Sequence, residues 1–168
     1  MAKKIILGTV FIVIAALLQS TVISRLTPIR VVPDIALCIL VFIAYTNGAM
    51  TGQLTGFFSG ILLDFLSFAP LGLNTFIRTL VGAITGFIKD TFFLDTFFLP
   101  MALCAGATIF KAMCLFLLHL IFPETVPSYT LLGFTFLIEL GMNTLLAPAL
   151  FAFLRLFKFF VPRQREES

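Results

Sequence analysis

Six apolar stretches, each closed by helix-stopping residues, leave this chain few ways to fold. They run from about Ile5 to Ile23, Asp34 to Thr46, Gly48 to Leu66, Leu73 to Lys89, Phe97 to Phe122 and Ser128 to Leu150. Between them lie TPIRVVPD, YTNG, SFAPLG, KDTFFLD and FPETVPS, which carry the Pro, Gly, Asn and Asp residues that end helices. A helix rises about 1.5 Å per residue, so about 20 apolar residues cross a hydrocarbon core about 30 Å thick. Most of the stretches meet that length. The second is the shortest and fits either a short span or one arm of a re-entrant hairpin.

Composition makes the setting a membrane. Of the 168 residues, 60% are hydrophobic and 11% charged, and mean hydropathy is +1.14. A water-soluble domain has too few charges here to cover so much apolar surface. The expected fold is therefore an all-α integral membrane protein, a six-helix transmembrane bundle forming a single domain over residues 1–168. Past Pro148 the apolar run continues as ALFAFLRLFKFF, and a proline within a helix bends its axis. Arg155 and Lys158 can share one face there. Residues 151–168 are thus expected to form an amphipathic end in the headgroup layer, followed by a solvated basic tail.

With an even number of spans both termini share a side. That side collects Lys3, Lys4, Lys89, Arg155, Lys158, Arg163 and Arg165, against Arg25 and Arg30 opposite. The excess of Lys and Arg places both termini in the cytoplasm. The net charge of +3 follows from that topology and from attraction to the anionic lipid bilayer. It gives no reason to expect nucleic acid as a partner. The first stretch has a basic start, but it is long for a signal core and LLQSTVIS is a poor cleavage site, so it reads as an uncleaved anchor.

Catalytic chemistry is not visible. Cys38, Cys104 and Cys114 lie inside apolar stretches without a CxxC pair, and the single His119 has no companion at ligand spacing. No phosphate-binding loop, nucleophile elbow or zinc-protease motif occurs. Neither enzyme activity nor a cofactor nor a metal is expected.

The pattern that stands out is GAMTGQLTGFFSGILLD. Gly48, Gly52, Gly56 and Gly60 are spaced by four, and Asp64 continues the row. The next stretch carries a matching row: Asn74, Arg78, Gly82, Gly86 and Asp90. Residues four apart share a helix face. Bare glycine faces let backbones approach closely, which matters in lipid because no hydrophobic force drives helices together there. The two rows predict an antiparallel hairpin, and such small-residue grooves could also receive the membrane helix of a partner.

The charges follow depth. Asp64 and Arg78 lie near the same end of this hairpin, so they are candidate ion-pair partners, with Asn74 joining the hydrogen bonding. Lys111 and Glu139 lie at similar depth in the fifth and sixth stretches and form a second candidate pair. Glu139 and Asn143 share a face at i and i+4. Alternatively, the four charges line one outward-facing polar pocket that holds a ligand.

These residues also carry a resemblance. PDIALCILVFIAYTNGAMTGQLTGFFSGILLDFLSFAPLGLNTF, preceded by LLQSTVISRL, resembles the MreD family of bacterial rod shape-determining membrane proteins. The similar features are Pro33 and Asp34 opening the second helix, the Gly56 and Gly60 to Asp64 run, and the turn containing Pro70 and Gly72. The resemblance covers the first half of the chain; beyond it the match is one of length and hydropathy. It implies a non-enzymatic scaffold subunit of the cell-elongation complex. The implied partners are an MreC-like single-span membrane protein and, through it, the RodA glycosyltransferase and a transpeptidase of peptidoglycan synthesis. MreD-like proteins are also similar in fold to the substrate-binding subunits of energy-coupling-factor vitamin transporters, so the alternative is a subunit with a vitamin in an outer pocket. Such subunits dock through an AxxxA pattern on the first helix, which only Ala16 and Ser20 approach here.

Overall fold

The computed structural model describes residues 1–23, 31–67, 70–89, 97–126 and 133–157. Six α-helices make up the described chain: α1 (Ala2–Leu18), α2 (Ile35–Asn47), α3 (Ala49–Leu66), α4 (Leu73–Phe87), α5 (Phe98–Ile121) and α6 (Phe134–Arg155). A π-helical turn, Gln19–Ile23, extends α1. Among the described residues, three segments are long and apolar enough to cross a membrane: Ala2–Thr21, Phe98–Ile121 and Phe134–Arg155.

The other helices differ for physical reasons. In α3 and α4, Gly, Thr and Ser take positions that lipid-facing helices give to Leu and Ile, which lowers their hydropathy. At 13 residues, α2 is about 20 Å long and short of the hydrocarbon thickness. Its sequence, IALCILVFIAYTN, has no polar face, and a helix apolar all round belongs in an interior. Every residue from Ala36 to Ala44 is buried, and α2 packs against each of the other five helices. It is the axis of the bundle. Phe42 meets Phe151 of α6 edge to face, with centroids 5.1 Å apart.

One boundary departs from the sequence reading within the described residues. Helix α6 begins at Phe134 and runs through Pro148 to Arg155, with Phe151 and Leu154 in the core. Proline is tolerated inside such a helix because its neighbours support the backbone that the missing N–H leaves open. The first turn of the expected headgroup segment is thus a continuation of α6; Lys158, Arg163 and Arg165 lie outside the described residues. So do Arg25, Arg30, Asp90 and the expected sixth-helix start at Ser128.

Helices α3 and α4 form the most extensive contact in the fold, and glycine makes it possible. A Cβ placed on Gly52 would collide with the Gly82 carbonyl, and one on Gly82 with the Gly52 carbonyl. Gly56 lies against the Arg78 carbonyl, Gly60 against the Thr75 backbone and Gly86 against that of Ala49. The two rows therefore face each other in antiparallel register, backbone on backbone. Gly48 departs from the expectation. A Cβ there would meet only Lys89 Cδ, at 3.7 Å, and its φ is +90°. It is the one-residue corner between α2 and α3, ending the first helix and opening the second, a conformation that L residues with a side chain rarely adopt.

Gly56→Leu should unfold or splay this hairpin, at a cost of at least about 3 kcal/mol, because the obstacle is backbone that has no rotamer to change. Gly106→Ala, where an added Cβ meets open space, should be neutral or slightly stabilising. Thermal unfolding of the two purified variants checks the contrast.

Candidate functional site

The chemistry gathers where α2 starts. Pro33 precedes Asp34, which caps α2 by accepting from the Leu37 N–H through Oδ1, at 2.9 Å. Two further N–H groups at this helix end also reach side chains. The Asp34 N–H donates to Asn143 Oδ1 of α6 at 2.8 Å, and the Ile35 N–H to Gln19 Oε1 at 3.1 Å. Asn143 in turn donates to Thr108 Oγ1 of α5 at 3.0 Å, and that hydroxyl donates to the Cys104 carbonyl at 2.8 Å.

Two cations close on the same carboxylate. Arg78 Nη2 of α4 is 3.2 Å from Asp34 Oδ1, and Lys111 Nζ of α5 is 2.7 Å from Asp34 Oδ2. Lys111 Nζ is also 2.7 Å from Glu139 Oε1 of α6. Asp34, Arg78 and Glu139 are each 7% exposed. Among the described residues two positive and two negative groups meet here, and burial favours such a balance. Arg78 and Glu139 lie about one and a half turns inside their helix starts, and Lys111 about three turns from the end of α5. A cavity of about 350 Å³ opens beside them, lined by Ala16, Gln19, Leu63 and Asn74 as well as the four charges.

The sequence pairing of Lys111 with Glu139 corresponds to a contact here; that of Asp64 with Arg78 does not. Arg78 turns to Asp34, whereas Asp64 is saturated by the start of α4. Its Oδ2 accepts from the Gly72 N–H at 2.9 Å, the Thr75 N–H at 3.1 Å and the Thr75 hydroxyl at 2.6 Å, and its Oδ1 from the Asn74 N–H at 2.9 Å. Gly72, with φ +96°, is the residue before α4 and has no side chain to cap it. Asp64 supplies the cap from the preceding helix. The Pro70 carbonyl accepts from the Leu73 N–H at 3.1 Å and holds the turn. Asn74, whose N–H is one of the Asp64 donors, also reaches Ser67 Oγ with its side chain, at 3.4 Å.

Asp34 is the residue that sequence reasoning undervalued. It was visible as a helix start, but its depth beside Arg78 and Lys111 depends on α2 beginning well inside the bundle. His119 is far from this chemistry and donates to the Val126 carbonyl at 2.8 Å, tying down the end of α5. Cys38, Cys104 and Cys114 are free, buried thiols.

The family model for the rod shape-determining protein MreD matches residues 2–157, from the start of α1 to beyond the end of α6. The chain belongs to the MreD family. Membership brings a role in rod shape determination, as a member of a structural membrane protein family. No curated protein and no solved structure matches the chain significantly. For this MreD-family chain, the match extends the first-half resemblance across α5 and α6, which supply Lys111, Glu139 and Asn143.

Asp34→Ala should destabilise the protein by about 3–5 kcal/mol, because it leaves two buried cations short of a counter-ion. Asp34→Ala and Arg78→Ala should be strongly non-additive, coupled by at least about 0.5 kcal/mol. Asp64→Ala and Arg78→Ala should add to within about that value. Chemical unfolding of the single and double variants measures both couplings; a larger coupling for Asp64 than for Asp34 contradicts the arrangement.

Proposed function

We propose that the protein is a non-enzymatic scaffold subunit of the bacterial cell-elongation complex. It binds an MreC-like single-span protein and through it supports RodA, its transpeptidase partner and peptidoglycan synthesis. In this reading all six helices lie across the inner membrane, residues 1–168 form one membrane domain, and both termini face the cytoplasm. The observation that carries it is the family match along the whole bundle. The fixed shape of that bundle supports it: backbone contact locks α3 to α4, and one charge cluster holds α2, α4, α5 and α6.

The facing glycine rows of α3 and α4 are occupied within the chain, so in this reading the partner's helix meets another surface. A cavity lined in part by the charge cluster is the observation that favours the second reading, a vitamin-binding transport subunit.

Gentle purification of the tagged chain from its own membrane, followed by mass spectrometry of bound proteins and small molecules, separates the two readings. A single-span, coiled-coil companion at near-equal amounts is expected. Recovery of a stoichiometric vitamin or an ATPase module instead would favour transport.

A further inference from the structure

The end of the bundle away from the charge cluster is built around the corner at Gly48, which ends α2 and opens α3. The Gly48 N–H donates to the Ala44 carbonyl at 2.8 Å. Having no side chain, Gly48 offers no cap, so the N–H groups of Ala49, Met50 and Thr51 begin α3 without a side-chain acceptor. An 18-residue helix concentrates about half a positive charge at such a start, where its N–H groups point outward and anions settle.

Three side chains converge on this helix start. Lys4 of α1 reaches it with Nζ donating to Asn47 Oδ1 at 2.7 Å, which uses one of the three donors of an ammonium group. Lys89 approaches from the side of α4, its Cδ 3.7 Å from where a Gly48 Cβ would stand. The third is Thr51, in the first turn of α3 and 5% exposed. Thr46, Thr79, Thr108 and Thr144 each donate to a carbonyl of the preceding turn, whereas among the described residues the Thr51 hydroxyl has no hydrogen-bond partner. A helical Cα–Cβ bond tilts toward the N-terminus, so this hydroxyl is directed back to the start of α3. Gly8 of α1 packs on Thr55 of α3, and both helices leave this end together, so Lys4 and Thr51, each one turn earlier, lie level with one another. The acidic residues among those described, Asp34, Asp64, Glu124 and Glu139, all belong toward the opposite end. Asp90 and Asp95 lie outside the described residues. Met50 and Phe87, 58% and 77% exposed, flank the corner with apolar surface.

We infer that the corner between α2 and α3 binds the phosphate of an anionic lipid head group. The donors are the first N–H groups of α3, the Lys4 and Lys89 ammonium groups and the Thr51 hydroxyl. Met50 and Phe87 give the lipid's chains a surface to lie on, which a free phosphate would leave unused. The site goes beyond the scaffold reading and takes from it only the leaflet, the cytoplasmic one.

The test places the full chain in nanodiscs of phosphatidylcholine with added phosphatidylglycerol and measures retained lipid by native mass spectrometry. Inorganic phosphate is titrated separately while thermal unfolding is followed. The unaltered chain should retain phosphatidylglycerol in preference to phosphatidylcholine. Lys4→Gln should lower that retention at least about tenfold and Thr51→Val about threefold, as expected for lost hydrogen bonds to a charged group. Lys3→Gln removes the same charge from the neighbouring, exposed position and should stay within about twofold of the unaltered chain. If Lys4→Gln fails to fold, judged by helical circular dichroism, Thr51→Val carries the comparison. The inference is overturned if phosphatidylglycerol is not preferred, if Lys3→Gln loses as much as Lys4→Gln, or if the folded variants retain as much as the unaltered chain. Stabilisation by inorganic phosphate without lipid retention would also overturn it, by making the ligand a free anion.

Discussion

A helix that begins inside a membrane protein exposes its first N–H groups where water cannot satisfy them, and the arrangement of this bundle follows from how that problem is solved at α2. An α-helix leaves its first four amide donors unpaired, and an unpaired donor at membrane depth costs several kcal/mol. Here Asp34, Gln19 and Asn143 each take one of the donors at this end. The chosen cap is ionised, so it demands counter-charge, and Arg78 and Lys111 supply it. Two cations against one carboxylate then require a second carboxylate, and Glu139 provides that. The polar residues of α1, α4, α5 and α6 thus trace back to one short, buried helix.

The same device appears again on a smaller scale. Helix α4 opens after Gly72, whose positive φ suits the turn but which offers no capping side chain. Asp64, the residue that ends the glycine row of α3, delivers its carboxylate to the N–H groups of Gly72, Asn74 and Thr75. The carboxylate can reach because the glycines bring the two backbones into contact. Close packing and capping are therefore linked: a row of absent side chains sets the distance at which the last member of the row can act.

Much of this was legible in the residues. Six apolar stretches with breakers between them gave six helices, and glycines at every fourth position gave the α3–α4 contact in register, because helical periodicity is local and depends on little else. Charge partners were harder. Pairing Asp64 with Arg78 followed from their nearness along one hairpin, but a carboxylate has a choice between a guanidinium and a row of backbone donors. Which one it takes is decided by the positive φ of Gly72 and the orientation of the following turn. Asp34 was hidden for a different reason. Its importance comes from the depth at which α2 starts, and depth is a property of the assembled bundle. Lys111 and Glu139 were easier, since both sit within long apolar helices where an unpaired charge has no other outlet.

Buried ion pairs contribute little net stability compared with well-packed apolar groups, because removing each charge from water offsets much of the attraction. Their value in this fold lies in specification. An apolar helix in lipid slides or rotates against its neighbours with small changes in energy, since the lipid tails match its side chains. Shifting α5 by one residue, however, would turn Lys111 away from both carboxylates and leave that cation unmatched, with Asp34 held by Arg78 alone. The cluster therefore acts on alignment, while the α3–α4 backbone contact sets spacing. A protein proposed to hold partners in fixed relation needs both. The exposed surface is rich in apolar side chains such as Phe57, Phe76, Leu120 and Phe134, so in the proposed six-span arrangement the features that distinguish this bundle lie in the shape that these two internal constraints impose.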